Sequence, residues 1–158
     1  MHAVDPRRTA SAKFADAWLG LDVGTDIALA NAVAREIIAS DLHNKDFIAH
    51  STRGFEDFAA HVDTYTLERA SSITGVPAKA IQALAHDYAS APSAQILWTL
   101  GITEHHNGVD NVLSLCNLAL LTGHVGRWGS GLVPLRGQNN VQGGGDMGAL
   151  PNKLPGFQ

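Results

Sequence analysis

A segment near the end of the chain combines one arginine with amides and glycines and holds few side chains that could pack in a core. It runs from Arg136 to Gly148. Glycine lets the backbone approach a ligand closely and adopt positive φ, at an entropic cost that a simple connection has little reason to bear. The amides can hydrogen-bond the edge of a ligand, and a guanidinium can bind a carboxylate or phosphate through two hydrogen bonds. We therefore predict that the segment contacts a ligand and that Arg136 binds its anionic group.

Two acidic residues lie where predicted strands and helices meet. Asp5 follows a short apolar stretch and opens the motif Asp5–Thr9, where a carboxylate can accept hydrogen bonds from ribose hydroxyls or a guanine edge. The alternative is a plain turn in which Asp5 caps the backbone and the arginines are solvated. Asp26 is a plausible helix N-cap, and capping alone would explain it. Both interpretations stay open for each residue.

Two further features have residue types that can bind metals or react as thiols, but their sequence context argues against both roles. Glu104, His105 and His106 are adjacent, but neighbouring histidines often point apart and no third ligand has a recognisable spacing. We expect no metal site in this chain. The single Cys116 lies among apolar residues of a predicted helix, where a buried inert thiol is expected. One cysteine excludes an internal disulfide and a multi-cysteine iron-sulfur site within these residues.

The composition is that of one globular domain with a distinct end. The chain has 158 residues, 45% of them hydrophobic, and a formal net charge of -4 with 16% charged residues, which does not suggest nucleic-acid binding. From residue 123 onward Arg127, Arg136 and Lys153 face Asp146 alone, so this part carries +2 and the remainder -6. No apolar run spans a bilayer and no signal peptide is evident, so we predict a cytoplasmic protein without a membrane segment.

Apolar periodicity and turn residues predict alternating strands and helices. Helical spacing is clearest from Thr25 or Asp26 to Ser40. Strands are predicted at residues 1–4, 18–21 and 94–100. Further helices are predicted around Phe47, at residues 54–62, from Thr66 to Gly75 and from Pro77 to Ala91. The first strand starts abruptly, so we expect that part of a βα unit precedes it.

A polar loop separates the last of these strands from a strongly apolar helix. The loop covers residues 101–108, and Asp110 or Asn111 is the predicted cap of a helix through Leu121. A strand, a polar loop and a helix together form the unit that places ligands in α/β sheets. We predict a Rossmann-like, doubly wound parallel sheet, incomplete at its N-terminus, over residues 1–122, with an irregular glycine-rich extension over residues 123–158.

Five short motifs in order resemble one family. The chain is similar to the molybdenum or tungsten bis-pterin-guanine-dinucleotide oxidoreductases, and among them to the formate dehydrogenase catalytic alpha subunit. Each motif is weak alone, but their shared order covers the whole chain. Val23 replaces a proline that the family often carries before the second motif. The motifs are Asp5–Thr9, Gly24–Leu29, Ser72–Val76, Leu121–Gly126 and Pro134–Gln142.

The resemblance implies roles for particular residues. It implies that Arg136 is the catalytic arginine that holds the carboxylate of formate, and that Gln138 and Asn140 contact a pterin. Asp5, with Arg7 in the same motif, and Asp26 fall where the family recognises a guanine nucleotide. The remaining implied cofactor contacts lie in the loop after the central strand, at Gly101, Thr103 and Glu104.

The resemblance also implies cofactors and partners beyond this chain. It implies oxidation of formate to carbon dioxide at a molybdenum or tungsten bis-molybdopterin guanine dinucleotide. The iron-sulfur cluster and the cysteine or selenocysteine ligand of the metal would precede residue 1, and electrons would pass to further subunits or an acceptor. The chain is therefore expected to be an interior part of such a subunit, inactive alone. A non-enzymatic guanine-nucleotide or pterin-binding module and a truncated reading frame are the alternatives.

Overall fold

The protein is described here by a computed structural model that covers residues 1–158. Its strands form two separate pairs, and both pairs are parallel. Strand β1 (His2–Val4) pairs with β2 (Ala17–Leu19), and His2 lies opposite Ala17. Strand β3 (Gln95–Trp98) pairs with β4 (Gly131–Pro134), and Gln95 lies opposite Gly131. The mixed α/β class with parallel strands is confirmed, with the sheet present as two short pieces.

The chain also forms nine α-helices. The longest of them include the helix whose apolar spacing was clearest in the sequence. A short 3-10 helix follows them at Pro155–Phe157. The helices are α1 (Ala10–Phe14), α2 (Asp26–Ala39), α3 (Lys45–Ser51), α4 (Phe55–Val62), α5 (Leu67–Thr74), α6 (Ala78–Ser90), α7 (Leu100–Thr103), α8 (Gly108–Thr122) and α9 (Val141–Asp146).

Helix α2 lies at the centre of the core. Eight of its residues are buried, from Leu29 to Ile37, because α4, α5, α6 and α8 all pack against it. A helix that is apolar on most of its surface must be covered on most sides. The core continues through Leu19 of β2, Val62 of α4 and Ile81 of α6, each at most 1% exposed. This packing anchors the turns that precede and follow α2.

One buried charge lies in this core, and polar partners surround it. Oε1 of Glu36 on α2 accepts hydrogen bonds from Nε2 of Gln82 at 2.9 Å and from Oγ of Ser40 at 3.2 Å, and Nε2 of His86 lies 3.0 Å away. Burial raises the pKa of Glu36, but these hydrogen bonds and the charge of His86 outweigh it and leave the pKa below its ordinary value. The cluster links α2 to α6.

Several residues predicted to begin or end helices do so in the structure. Thr66 caps α5 by accepting a hydrogen bond from the backbone N–H of Arg69 at 3.2 Å. Gly75 and Gly123 end α5 and α8 at φ +71° and +69°, the left-handed conformation that glycine adopts without strain. Pro77 immediately precedes α6. Short-range chemistry therefore accounts for these boundaries.

The loop predicted at residues 101–108 is helical at both ends, and residues 104–107 form the turn between two helices. Its first part belongs to α7, and α8 begins at Gly108, before the predicted cap at Asp110 or Asn111. Asn111 is instead buried inside α8, and its Nδ2 donates to the carbonyl of Ile102 at 2.9 Å. A side chain at Gly108 would collide with the carbonyl of Thr103. The tight α7–α8 turn therefore requires glycine.

The C-terminal extension is more ordered than predicted. It contributes β4, which pairs with β3, and the helix α9, so the prediction of an irregular segment was wrong for these residues. No residue from 125 to 158 is buried, however.

Cys116 is half-buried, where a fully buried thiol was expected. No helix of the protein has the length and apolar character needed to cross a membrane.

Candidate functional site

A cavity of about 200 Å³ lies where the ends of strands meet. Asp5 borders it directly after β1, and Gly101 borders it in the first turn after β3. The loop between β2 and α2 forms a third side. The strands in each pair are parallel, and ligands of α/β proteins bind beyond the carboxyl ends of such strands. The lining residues are Asp5, Pro6, Arg7, Val23, Gly24, Asp26, Gly101 and His105.

Asp5 both shapes a turn and faces the cavity. Its Oδ1 accepts a hydrogen bond from the backbone N–H of Arg7 at 2.7 Å, the turn that the plainer interpretation predicted. Oδ2 forms no hydrogen bond within the protein. Two hydrogen bonds hold the backbone of Asp5. The carbonyl of Leu19 accepts from the Asp5 N–H, and the Trp18 indole donates to the Asp5 carbonyl at 2.8 Å. The turn thus leaves a fixed carboxylate oxygen at the cavity.

Asp26 is the first residue of α2, but it does not cap the helix. The N-cap is Thr25, whose Oγ1 donates to the carbonyl of Asp22 at 2.6 Å. The half-buried Asp26 side chain makes no hydrogen bond within the protein and lines the cavity. Gly24, at φ +86°, makes the turn that directs the chain into α2. The capping interpretation of Asp26 was therefore wrong.

The segment that follows β3 brings in one cavity residue that the sequence prediction did not assign to the site. Gly101 and His105 line the cavity, whereas Thr103 and Glu104 are exposed and do not. His105 was considered only as a metal ligand. The protein has no group of three or more His, Cys, Asp or Glu side chains that could hold a metal ion. The position of His105 after β3 was the signal that could have identified it.

Arg136 lies two residues beyond β4, at the carboxyl end of the β3–β4 pair. The backbone N–H of Leu135 donates to the carbonyl of Trp98 at 2.7 Å, which extends the pairing to the residue before Arg136. The Arg136 side chain is exposed and is not among the residues that line the 200 Å³ cavity. Nη2 of Arg136 donates to Oε1 of Gln142 at 3.1 Å. This is its only hydrogen bond within the protein, so four of its five N–H groups are available.

The remaining predicted residues lie on the loop between β4 and α9. Gln138 is exposed and makes no side-chain hydrogen bond within the protein. Asn140 adopts φ +56° and precedes α9, with its side chain over Gly143. A Cβ atom on the neighbouring Gly137 would approach the side chain of Leu100 to 3.2 Å, so the loop packs closely on the start of α7. The loop and the cavity therefore both adjoin α7.

The arrangement suits a ligand that donates hydrogen bonds at one end and is anionic elsewhere. The carboxylates of Asp5 and Asp26 can only accept hydrogen bonds when ionised. The exposed Arg7 supplies a cation beside these carboxylates. Its Nε lies 4.0 Å from Oδ1 of Asp5. Arg136 supplies a second cation at the end of β4. Heterocyclic N–H groups and hydroxyls fit the first set, and carboxylates or phosphates fit the arginines.

Comparison with known proteins supports the resemblance seen in the motifs. The F420-dependent formate dehydrogenase 2 subunit alpha of Methanococcus maripaludis is 49% identical over 156 residues, which is 99% of this chain and 23% of that protein. Formate dehydrogenase H of Escherichia coli is 48% identical over 154 residues, 98% of this chain and 22% of that protein. The chain thus spans about a quarter of the length of these curated relatives.

A solved structure extends the similarity to the fold. The acetylene hydratase from Pelobacter acetylenicus superposes with a TM-score of 0.78 and 32% sequence identity, covering 81% of this chain and 18% of that chain. The family model described as molybdopterin oxidoreductase matches residues 1–156, nearly the whole sequence. The chain belongs to the molybdopterin oxidoreductase family.

Proposed function

We propose that this chain forms part of the alpha subunit of a formate dehydrogenase, in which it binds the nucleotide end of the cofactor and presents Arg136 to formate. The observation that carries the proposal is the 48–49% identity to formate dehydrogenase alpha subunits and formate dehydrogenase H over 98–99% of this chain. Since the chain covers about a quarter of these relatives, the complete reaction would require residues that they carry elsewhere.

Membership of the family implies a molybdopterin cofactor. We propose its bis-guanine-dinucleotide form with molybdenum or tungsten. The cavity fits the guanine end, because a guanine edge offers N–H donors and a ribose offers hydroxyls to the carboxylates of Asp5 and Asp26. Gly24 and Gly101 let a ligand approach the backbone there. We propose that Arg7, which also lines the cavity, binds a phosphate of the same nucleotide.

Residues near α7 and before α9 would complete the cofactor contacts. Thr103 and Glu104 are exposed beside the cavity, and Gln138 and Asn140 offer amides on the loop that adjoins α7. The side chains of Gln138 and Asn140 make no hydrogen bond within the protein, so they are available to the polar edge of a pterin. We propose that residues 1–122 serve the nucleotide end and that residues 123–158 serve the pterin and the substrate.

The role of Arg136 follows from its charge and its free donors. Its guanidinium can bind both oxygens of a carboxylate, which fixes the direction of the formate C–H bond. The metal-pterin cofactor, when bound, supplies the two-electron oxidation. Formate then becomes carbon dioxide and releases one proton and two electrons. Because carbon dioxide is neutral, the attraction to Arg136 ends when the product forms, which favours product release.

Replacement of Arg136 by lysine in the full-length enzyme tests the substrate role. Lysine keeps the charge but loses the planar fork, so we expect kcat/KM for formate to fall by about a hundredfold or more. Steady-state formate oxidation, with cofactor content measured in parallel, gives the answer. Arg53→Lys is the matched control, because Arg53 is exposed on another face of the protein, next to α4. Near-normal activity of Arg136→Lys would remove Arg136 from the mechanism.

Three further parts of the proposal concern what lies beyond this chain. An iron-sulfur cluster elsewhere in the subunit, transfer of electrons to other subunits or an acceptor, and a cytoplasmic location are predictions from the family resemblance and the sequence. The formate dehydrogenases among the relatives support formate as the substrate. The choice of substrate class rests on these relatives and on the chemistry of Arg136.

A further inference from the structure

Arg136 is connected to a carboxylate through an amide. Nη2 of Arg136 donates to Oε1 of Gln142 at 3.1 Å, and Nε2 of Gln142 donates to Oδ1 of Asp146 at 3.2 Å. Gln142 and Asp146 both belong to α9 and lie four residues apart, so they share one face of this helix. The three side chains therefore form a continuous chain of hydrogen bonds that ends at the proposed substrate-binding group.

The chemistry of the amide dictates the direction of this chain. A guanidinium only donates hydrogen bonds and an ionised carboxylate only accepts them, so the group between them must accept on one side and donate on the other. The Gln142 side chain meets both demands in one orientation only. The reverse orientation would place its NH2 group against the guanidinium and its carbonyl against Asp146.

This arrangement polarises Arg136 without occupying the paired N–H groups with which a guanidinium binds a carboxylate. A carboxylate in direct contact would form two hydrogen bonds to the guanidinium and would compete with a carboxylate substrate for the same donors. Gln142 uses one N–H and leaves the other four. The negative charge of Asp146 acts through the amide and holds it in place, at a distance that leaves the cation free to bind an anion.

Little else in this segment restrains the arginine. Arg136, Gln142 and Asp146 are all exposed, and the helix that carries the last two contains three consecutive glycines at residues 143–145. Each glycine weakens a helix relative to alanine, so the backbone of α9 is a poor source of rigidity by itself. Side-chain hydrogen bonds therefore decide the direction of the guanidinium.

We propose that Gln142 and Asp146 are positioning residues for Arg136, with Gln142 orienting the guanidinium towards the substrate carboxylate and Asp146 fixing the amide of Gln142. The inference rests on the proposed formate-binding role of Arg136. It adds two residues that determine how well the enzyme binds a small carboxylate. Loss of this relay, defined as Arg136, Gln142 and Asp146, should weaken formate binding more than it slows turnover.

Four variants of the full-length enzyme test the relay through KM and kcat for formate. Gln142→Met keeps the length of the side chain and removes its hydrogen bonds, and should raise KM about tenfold with kcat changed less than about threefold. Gln142→Glu should raise KM further, because the new carboxylate would occupy the fork of Arg136. Asp146→Ala should raise KM less than Gln142→Met, and Asp146→Asn, which keeps an acceptor for Gln142, should restore most of the loss.

The order of the two Gln142 variants separates positioning from a structural link. If Gln142 merely held α9 in place, glutamate would pair strongly with Arg136 and would be milder than methionine. That order, or an unchanged KM in Gln142→Met, would overturn the proposal. Loss of cofactor from Gln142→Met would also overturn it, since Gln142 would then serve cofactor retention. Gln95→Met is the matched control, because Gln95 is an exposed glutamine on β3.

The Arg136→Lys variant keeps the two proposals distinguishable. If Arg136→Lys loses activity while the Gln142 and Asp146 variants behave like the unmodified enzyme, only the relay is wrong. If Arg136→Lys itself retains normal activity, the formate-binding role fails and the relay has no substrate to orient.

Discussion

The helical body, residues 26–124, and the C-terminal segment, residues 125–158, hold their side chains by different means. In the helical body α2 is packed by four other helices, and Ile37 and Ile81 are fully buried. In the C-terminal segment no residue is buried, and the order comes from the β3–β4 pairing and from hydrogen bonds such as that between Arg136 and Gln142. Asp26 is thus placed by a core, whereas Arg136 is placed by a few polar contacts.

This difference predicts that substitutions in the two regions affect different properties of the protein. Substitutions in the helical body should destabilise the fold and affect function indirectly. Substitutions in the C-terminal segment should change ligand binding while the fold persists, because few apolar contacts are lost there.

The largest expected effect comes from opening a cavity beside α2. Ile37→Ala should lower the free energy of unfolding by about 2–5 kcal/mol, because Ile37 is 0% exposed and its neighbours cannot fill the space fully. Trp128→Ser removes a larger side chain from the C-terminal segment, but Trp128 is 99% exposed, so the change should stay within about 0.5 kcal/mol. Urea unfolding measures both changes, and similar losses of stability in the two variants would contradict the contrast between the two regions.

A smaller effect is expected at the buried carboxylate between α2 and α6. Glu36→Ala should cost about 1–3 kcal/mol, because Gln82, Ser40 and His86 lose their shared partner. The pKa of Glu36 is lowered in the fold, so its ionised form stabilises the protein above its ordinary pKa, and this contribution disappears as pH falls through the folded value.

Unfolding measured from neutral to acidic pH checks this sign. The unmodified protein should lose more stability on acidification than Glu36→Ala. The exposed Glu56 on α4 offers a control, Glu56→Ala, which should leave the pH dependence unchanged. A larger loss in Glu36→Ala on acidification would contradict the assignment.

The smallest effect on stability is expected at His124, where the helical body meets the C-terminal segment. His124 is 1% exposed, its Nε2 donates to the carbonyl of Tyr88 at 2.9 Å, and Nη2 of Arg127 donates to its Nδ1 at 2.6 Å. The carbonyl fixes the proton on Nε2, so Nδ1 is free to accept from Arg127. Burial lowers the pKa of His124, the charge of Arg127 adds to this, and the hydrogen bond to Tyr88 opposes it.

The neutral imidazole is therefore the form that the fold prefers. The stability that it contributes is present above the ordinary pKa of histidine, about 6.5, and is lost as pH falls below that value. His124→Asn should flatten the stability curve between about pH 7 and pH 5. Thermal unfolding across this range is the measurement, with His106→Asn as an exposed control. If the stability of His124→Asn depended on pH as steeply as that of the unmodified protein, His124 would not be the source of this pH dependence.

Short-range signals account for the parts of the fold that were predicted well. The helix predicted from residue 25 or 26 to Ser40 is α2 at Asp26–Ala39, and the glycines expected to end α5 and α8 do so. Strand β4 was missed because Gly131–Pro134 has little strand character of its own and pairs with a strand more than thirty residues earlier. The α7 helix was missed because its four residues depend on the contact of Asn111 with Ile102.

For the site, the sequence alone identified which residue types stand at the ends of strands. Asp5, Arg7, Asp26 and Gly101 were named from their positions after apolar stretches and from the family motifs, and Arg136 from its glycine-rich surroundings. Only the tertiary structure brought Asp5, Asp26 and Gly101 to one cavity, added His105, and placed Gln142 beside Arg136. The physical reason is range: caps and turns depend on neighbouring residues, whereas a cavity and a hydrogen-bond relay exist only after distant segments have packed.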